Sequence, residues 1–246
     1  VKLRHMKVSF ITVDEAHCIS QWGYDFRPSY LQITEIRKLV PHAPILALTA
    51  TATPEVVDDI QERLGFKEKN AFRMSFERKN LAYVVRQVED KETEMIHILH
   101  SIPKTAIVYC RSRRRTKEIA QKLIQNGIPA TWYHAGLEPA IKDQRQNDWQ
   151  NDKTRVIVAT NAFGMGIDKP DVRVVIHIDC PNSLEAYFQE AGRAGRDGNK
   201  AYAVLLYNGH DNHTLRKRIE DTFPPKEYIQ MLYNHLAYFY QIGVGS

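Results

Sequence analysis

The chain has 246 residues, and its content of 43% hydrophobic and 26% charged residues is typical of a globular protein with one large domain or two modest ones. Its 34 lysines and arginines against 29 aspartates and glutamates give a net charge of +5, which permits a polyanionic partner without requiring one. No apolar run approaches the roughly 18 residues of a membrane span and no signal peptide opens the chain, so we expect no membrane association.

The three cysteines, Cys18, Cys110 and Cys180, are far apart and show no C-x-x-C spacing. This arrangement predicts neither a disulfide framework nor a cysteine zinc site, and it fits an intracellular, cytoplasmic setting. His210 and His213 form an H-x-x-H pair in a polar segment, where two histidines are more often solvated than bound to a metal. We therefore predict no zinc.

The first predicted element is a buried parallel strand at 8–13, a run of apolar and β-branched residues. Asp14 and Glu15 follow it, at the end of the strand where open α/β sheets bind ligands. One carboxylate there can hold a hydrated Mg²⁺ while its neighbour takes a proton from an attacking water. An acidic strand-to-helix turn gives the same pair and is its commoner origin, so the pair alone decides nothing.

A segment broken by glycine and proline, 20–30, contains Trp22, Tyr24, Phe26 and Arg27. Aromatic side chains in a segment that forms no regular core element are either a local hydrophobic cluster or stacking platforms for bases. The composition of the segment leaves both alternatives open.

The rest of the first part of the chain predicts a helix at 30–40, a second buried strand at 45–48 and a helix at 54–64. Thr53 is a suitable N-cap for the last of these helices, and Pro54 suits its first position. We place a linker at 74–80, because residues 65–80 carry few periodic apolar positions.

From residue 81 onward, strands and helices alternate in βαβ fashion, which predicts a complete parallel-sheet domain of about 130 residues. The predicted strands are 81–88, 106–110, 130–134, 155–160, 172–178 and 201–207. The predicted helices are 93–101, 114–126, 139–151 and 184–193. The tail, 211–242, is predicted to be helical throughout, with a single apolar stripe.

The string from Asp14 to Pro28, Asp-Glu-Ala-His-Cys-Ile-Ser-Gln-Trp-Gly-Tyr-Asp-Phe-Arg-Pro, resembles motif II and the aromatic-rich loop of RecQ-family DNA helicases. Later segments resemble further helicase motifs in the same order: 49–51 motif III, 107–113 motif IV, 156–168 motif V and 189–198 motif VI. The resemblance implies an α/β fold of RecA-like parallel-sheet lobes: a partial first lobe at 1–77, a complete second lobe at 78–210 and a C-terminal helical extension at 211–246.

The sequence contains no G-x-x-x-x-G-K-[ST] phosphate loop. A RecQ-like enzyme should have this loop upstream of Asp14, so we expect the chain to be a fragment that lacks the N-terminal part of its first lobe. On its own it should hydrolyse ATP negligibly, because nothing in it cradles the β- and γ-phosphates.

The resemblance also implies the cofactors, ATP and Mg²⁺, and the residues that contact them. Asp14 would hold Mg²⁺ and Glu15 would polarise the attacking water. Arg196 is assigned as the arginine finger and Arg193 as its partner on phosphate or motif II; a spacing of three residues, one helical turn, lets both point the same way. The implied catalytic set is Asp14, Glu15, His17, Gln189, Arg193 and Arg196, and the implied nucleotide contacts are Asp14, Asp168, Arg193 and Arg196.

The implied partners are single-stranded and duplex DNA, with a nucleoid location if the source is bacterial. The residues implied to bind DNA or to couple binding to hydrolysis are Trp22, Tyr24, Phe26, Arg27, Arg111, Ser112 and Thr160. Tyr24 stands where the family usually has histidine, so a titrating imidazole is not implied there. The expected function is that of a 3′-to-5′ DNA helicase of repair and recombination; a related RNA helicase and a binding fragment without ATPase activity are the alternatives.

Overall fold

The computed structural model describes residues 6–22, 25–164 and 167–241, and its strands form two parallel sheets. The first sheet pairs β1 (Ile11–Val13) with β2 (Ile45–Ala47). Around it lie two 3₁₀ helices, Ala16–Ile19 and Pro28–Thr34, and the helices α1 (Glu35–Leu39) and α2 (Pro54–Arg63). A small core holds this unit together: Val13, Ala16, Ile19, Val56, Ile60 and Leu64.

The elements of this first unit are shorter than the sequence predicts. The strand expected at 8–13 begins at Ile11, and Phe10 is 60% exposed, because the strand has only β2 to pair with and the two-stranded sheet covers little of its side chains. The helix expected at 30–40 is largely a 3₁₀ helix that starts at Pro28 and turns into α1. The helix α2 begins as expected, since the Thr53 hydroxyl accepts the Val56 amide and Pro54 follows the cap.

The second sheet contains six parallel strands in the order β3-β8-β7-β4-β6-β5 among the residues described. The strands are β3 (Leu81–Gln87), β4 (Ala106–Tyr109), β5 (Ala130–Tyr133), β6 (Val156–Ala159), β7 (Val174–His177) and β8 (Ala201–Tyr207). The helices between them are α3 (Lys91–Ser101), α4 (Arg113–Gln125), α5 (Pro139–Gln150) and α6 (Leu184–Ala191). The alternation predicted for this part of the chain is confirmed.

Buried side chains cover both faces of the six-stranded sheet. The central strands β4, β6 and β7 are buried along their whole length, which is why their sequences are continuous apolar runs. On one face Leu99, Leu123 and Ile128 belong to the core, and on the other Trp149 and Phe163 pack edge to face. The sheet therefore fixes the loops at its carboxyl edge, where motifs IV and V leave strands β4 and β6.

Two helix ends differ from the sequence prediction for local reasons. The helix α3 begins at Lys91 because the Asp90 carboxylate accepts the amides of Glu92 and Thr93. The helix α6 ends at Ala191, so Arg193 lies beyond it.

The tail is not one helix but two, α7 (Gly209–Thr222) and α8 (Lys226–Phe239). Phe223 and the two prolines that follow it separate them, because proline lacks the amide hydrogen that a continuing helix needs. A largely buried ion pair, Lys91 Nζ to Asp211 Oδ2 at 2.7 Å, joins α7 to the start of α3. Within the described ranges, no helix combines the length and apolarity needed to cross a membrane.

Adjacent residues on α4 test whether this packing accounts for the stability of the second sheet. Leu123 is fully buried, whereas Ile124 beside it is 51% exposed. Leu123→Ala should lower the free energy of unfolding by about 2–5 kcal/mol, because it leaves a cavity in the core. Urea denaturation provides the measurement, and Ile124→Ala is the control, with a change within about 0.5 kcal/mol. Equal losses from the two variants would contradict the packing described.

Candidate functional site

The first part of the site is the sharp turn that carries Asp14 and Glu15 away from β1. The Leu48 amide donates to the Val13 carbonyl at 2.8 Å, and the Ala16 amide donates to the Leu48 carbonyl at 2.9 Å, so the turn is tied to the end of β2. Glu15 adopts a left-handed conformation, with φ 49° and ψ 43°, which is unusual outside glycine. The turn leaves the Asp14 side chain exposed and the Glu15 side chain half-buried at the carboxyl edge of the sheet.

His17 connects this turn to the segment after β2. Its ring is 1% exposed, and its Nδ1 lies 3.0 Å from the Thr49 hydroxyl and 3.5 Å from Glu15 Oε2. Burial lowers the pKa of His17 below its usual value of 6.5, with the nearby Glu15 carboxylate opposing that change. Thr49 belongs to the segment that resembles motif III, and it is the residue of that segment that contacts His17.

Gln189 brings the second sheet to the same carboxylate. The residue lies on α6, and its side-chain amide Nε2 donates to Glu15 Oε1 at 3.1 Å. The two oxygens of Glu15 therefore face different partners, His17 in its own unit and Gln189 in the other. Residues 174 positions apart in the sequence meet in this one contact.

The two arginines of motif VI do not share a helical face, contrary to the expectation from their spacing. Both lie after the end of α6, in a turn where Gly195 has φ +64°, and their guanidinium groups contact different residues of motif V. Arg193 is 7% exposed, and its guanidinium packs on Gly164, where a Cβ would come within 2.9 Å of Nη2. Arg196 is 38% exposed and donates from Nη1 to Asp168 Oδ1 at 3.0 Å and to the Ile167 carbonyl at 3.2 Å.

These side chains meet at one open cleft between the two sheets. Carboxylates line it from the first unit, and an amide, guanidinium groups and one further carboxylate line it from the second. Its polar lining includes Asp14, Glu15, Asp168, Gln189, Arg193 and Arg196. The first unit thus offers acceptors for a cation, and the second offers donors for an anion.

The aromatic segment connects to His17 through two side chains. Arg27 Nη2 donates to Asp25 Oδ2 at 2.5 Å, and the Cys18 thiol lies 3.8 Å from the same oxygen. Cys18 Sγ also lies 3.7 Å from His17 Nε2. Burial, followed by the Asp25 charge, raises the pKa of Cys18 to about 11, so the thiol keeps its proton and can donate it to Asp25.

The exposure of the aromatics separates the two explanations of this segment. Trp22 is 78% exposed, so it does not belong to a local hydrophobic cluster, whereas Phe26 is half-buried. Tyr24 lies outside the described residues. Trp22 is therefore the aromatic ring that is open to a partner.

The other residues implied to bind DNA follow β4 and β6, neighbouring strands whose ends lie side by side. The Arg111 amide donates to Asp179 Oδ2 at 2.9 Å, and its guanidinium donates to Asn182. The Ser112 hydroxyl accepts the Arg115 amide and caps α4. Thr160 is 6% exposed, so its hydroxyl is mostly covered.

Sequence reasoning missed several polar residues that hold these groups in place. Asp25 had a weak signal, because it stands two positions before Arg27 in a short acidic and basic pair. His177 had no signal: it ends an apolar strand, yet its Nε2 lies 2.9 Å from Glu190 Oε2 beside Gln189. Arg78 was placed in a linker, although it contacts three backbone carbonyls of motif VI.

The pKa of His17 gives a testable pH dependence. Below pH 6.5, His17 binds a proton in the unfolded chain more readily than in the folded chain, where its pKa is lower. The free energy of unfolding should therefore fall as the pH drops from the unfolded pKa of His17 to its folded pKa. His17→Gln removes this contribution. Urea denaturation between about pH 8 and about pH 5 should show a smaller fall for the variant than for the wild type. Parallel curves would contradict the burial of a neutral His17.

Two family models match parts of the chain. Residues 90–198 match the family described as helicase conserved C-terminal domain, and residues 2–60 match the DEAD/DEAH box helicases. The fold is shared with Dbp5 of S. cerevisiae bound to RNA and ADP BeF3, at a TM-score of 0.67 and 19% identity over 89% of this chain and 58% of that chain.

Curated relatives share much more sequence. The ATP-dependent DNA helicase RecQ of Pasteurella multocida is 45% identical over 94% of this chain and 37% of its own length. A putative ATP-dependent RNA helicase, R290 of Acanthamoeba polyphaga mimivirus, is 42% identical over 92% of this chain and 42% of its own length. The chain thus spans about two fifths of these relatives. With its motifs in order and these identities over almost its whole length, it belongs to the RecQ family of helicases.

Proposed function

We propose that this chain forms part of an ATP-dependent 3′-to-5′ DNA helicase, which couples ATP hydrolysis to movement along single-stranded DNA and to unwinding in repair and recombination. The observation that carries the proposal is the hydrogen bond from Gln189 to Glu15, which joins motif VI to motif II. The phosphate-binding loop of that enzyme comes from outside these 246 residues, which contain no such motif.

The carboxylates suit a Mg²⁺ ion and a general base. One Asp14 oxygen accepts the Glu15 amide at 2.9 Å, and the exposed carboxylate keeps further lone pairs for a hard cation that prefers oxygen ligands. Mg²⁺ bound there would neutralise charge on phosphate oxygens. Glu15, held by His17 and Gln189, orients and deprotonates the attacking water.

The arginines divide the remaining work according to their exposure. Arg196 is open to the cleft, and its partner Asp168 is 80% exposed, so the ion pair between them is well solvated and easily exchanged for a phosphate. Arg193 is buried against Gly164, which suits a fixed role in shaping the motif V backbone. We therefore assign Arg196 as the arginine finger and Arg193 as its supporting partner.

The aromatic segment provides the connection to DNA. Trp22 would stack on a base, and Arg27 would exchange its Asp25 partner for a backbone phosphate. Release of Asp25 from Arg27 would change the contact of Asp25 with Cys18. Cys18 in turn contacts His17, and His17 lies beside the catalytic Glu15. Arg111, Ser112 and Thr160 would contact the strand from the second lobe.

The nature of the nucleic acid is tested by the ATPase of the full-length protein. Because the relative R290 is named an RNA helicase, single-stranded DNA and RNA of equal length are compared. We expect strong stimulation by DNA and little by RNA, and an equal or larger response to RNA would favour the RNA alternative. The 246-residue chain by itself is the control and should show no turnover, because it lacks a phosphate loop; a lack of turnover by the full-length protein would leave the binding alternative.

Trp22→Ala separates stacking from packing. Loss of a base-stacking ring costs about 1–3 kcal/mol of contact and should reduce stimulation by DNA while the basal rate and the melting temperature stay near wild type. Salt dependence should change little, because it is set by phosphate contacts. A variant that loses melting temperature and basal rate together, with normal fold-stimulation, would contradict the stacking role.

Arg196→Ala tests the role of Arg196 as the arginine finger. A group that acts on charge developed in the transition state should lower ATP turnover by about 10³–10⁵ and leave nucleotide affinity within a few-fold. The rate is measured at saturating ATP and DNA, and affinity is measured with a fluorescent nucleotide. Equal losses of affinity and turnover would instead show a ground-state phosphate contact.

A further inference from the structure

Arg78 lies in the segment that joins the two units, outside the helicase motifs, yet it is bound to motif VI. Its Nη1 donates to the Gly192 carbonyl at 3.3 Å, and its Nη2 donates to the carbonyls of Ala194 at 3.1 Å and Gly195 at 2.7 Å. The side chain is half-buried, although Glu77 and Lys79 on either side of it are exposed. One guanidinium group therefore donates hydrogen bonds to three carbonyls at the end of α6 and in the turn that follows it.

Asn80 completes this arrangement. Its side-chain oxygen accepts Arg78 Nε at 3.4 Å, and its Nδ2 donates to the carbonyls of Gly195 at 2.7 Å and Asn199 at 2.9 Å. The fit around Gly195 is close: its φ is +64°, and a Cβ there would lie 2.7 Å from Asn80 Nδ2. We call Arg78 and Asn80 together the carbonyl clamp.

The clamped carbonyls belong to the peptide units that carry the two arginines. The Gly192 carbonyl is in the peptide bond to Arg193, and the Gly195 carbonyl is in the peptide bond to Arg196. Gly192 is the C-cap of α6, at the helix end that carries partial negative charge, and the Ala194 and Gly195 carbonyls lie in the turn that follows. A planar cation with several donors suits such a cluster better than an ammonium group does.

We propose that Arg78, held by Asn80, is a positioning residue for ATP hydrolysis: the carbonyl clamp fixes the turn 192–196 so that Arg193 and Arg196 face the cleft. This inference rests on the proposed function. Since the clamp sits on the connecting segment, it also couples the course of that segment to the placement of the arginine finger. Arg78 also lines the cleft, but its guanidinium donors are taken up by Asn80 and the three carbonyls, so we assign it a role that acts through Arg196.

The test measures ATP turnover and nucleotide affinity in the full-length protein with Arg78→Ala, Arg78→Lys and Lys79→Ala. Lys79→Ala removes the same charge one position away, from a residue that is exposed, and should match the wild type. Arg78→Ala should lower kcat about tenfold or more, with KM for ATP within about threefold, because misplacement acts on the transition state. Arg78→Lys keeps the charge without the fork and should recover only part of the rate.

Two further measurements separate positioning from general stability. In an Arg196→Ala background, Arg78→Ala should cost little more, whereas a stability effect would add in full. Low concentrations of guanidinium should raise the rate of Arg78→Ala and not that of Lys79→Ala. If Arg78→Ala does not fold, Arg78→Lys decides: a lower kcat at an unchanged melting temperature supports the inference.

The inference is overturned if Arg78→Ala or Arg78→Lys turns over ATP like Lys79→Ala while the wild type is active. It is also overturned if the losses from Arg78→Ala and Arg196→Ala are additive. A wild type that hydrolyses no ATP is a different result, because it removes the proposed function itself.

Discussion

The site depends on one contact between the two sheets, the hydrogen bond from the Gln189 amide to Glu15. The Glu15 carboxylate contacts His17 with one oxygen and Gln189 with the other. Because Gln189 lies on α6, the same contact places α6, and the turn that follows it, against the first unit. The position of Arg196 relative to Asp14 follows from that turn.

Polar side chains extend this contact in both directions through the molecule. Toward the aromatic segment the order is Glu15, His17, Cys18, Asp25 and Arg27, each within hydrogen-bonding or close polar distance of the next. Toward the second sheet, Glu190 beside Gln189 is held by the buried His177, and the carbonyl clamp holds the turn beyond. In the proposed function, Arg27 would exchange Asp25 for a backbone phosphate, and this exchange would give the series the two arrangements that coupling between a DNA site and an ATPase site requires.

Much of the second sheet could be predicted from the sequence, because runs such as residues 156–159 are apolar enough to be fully buried strands and the helices between them carry ordinary caps. The apolar run before Asp14 also predicted that Asp14 and Glu15 follow a strand, as they follow β1 in the structure. The separate contacts of Arg193 and Arg196 could not be predicted from spacing, because α6 ends before both residues. The Gln189 contact and the carbonyl clamp join residues more than 110 positions apart, and local pattern carries no signal for such pairs. The break of the tail at the two prolines, by contrast, was readable in the sequence.

The most direct measurement of the central claim is the ATP turnover of the full-length protein with Gln189→Glu, which keeps the size of the side chain and replaces its donor by a carboxylate. The variant loses the hydrogen bond to Glu15 and places a second negative charge beside it, so it should lower kcat by about 10- to 100-fold and leave nucleotide affinity within a few-fold. Gln189→Ala, which removes the donor without adding charge, should have a kcat between those of Gln189→Glu and the wild type. A Gln189→Glu protein with wild-type kcat would show that the contact between the sheets does not organise catalysis.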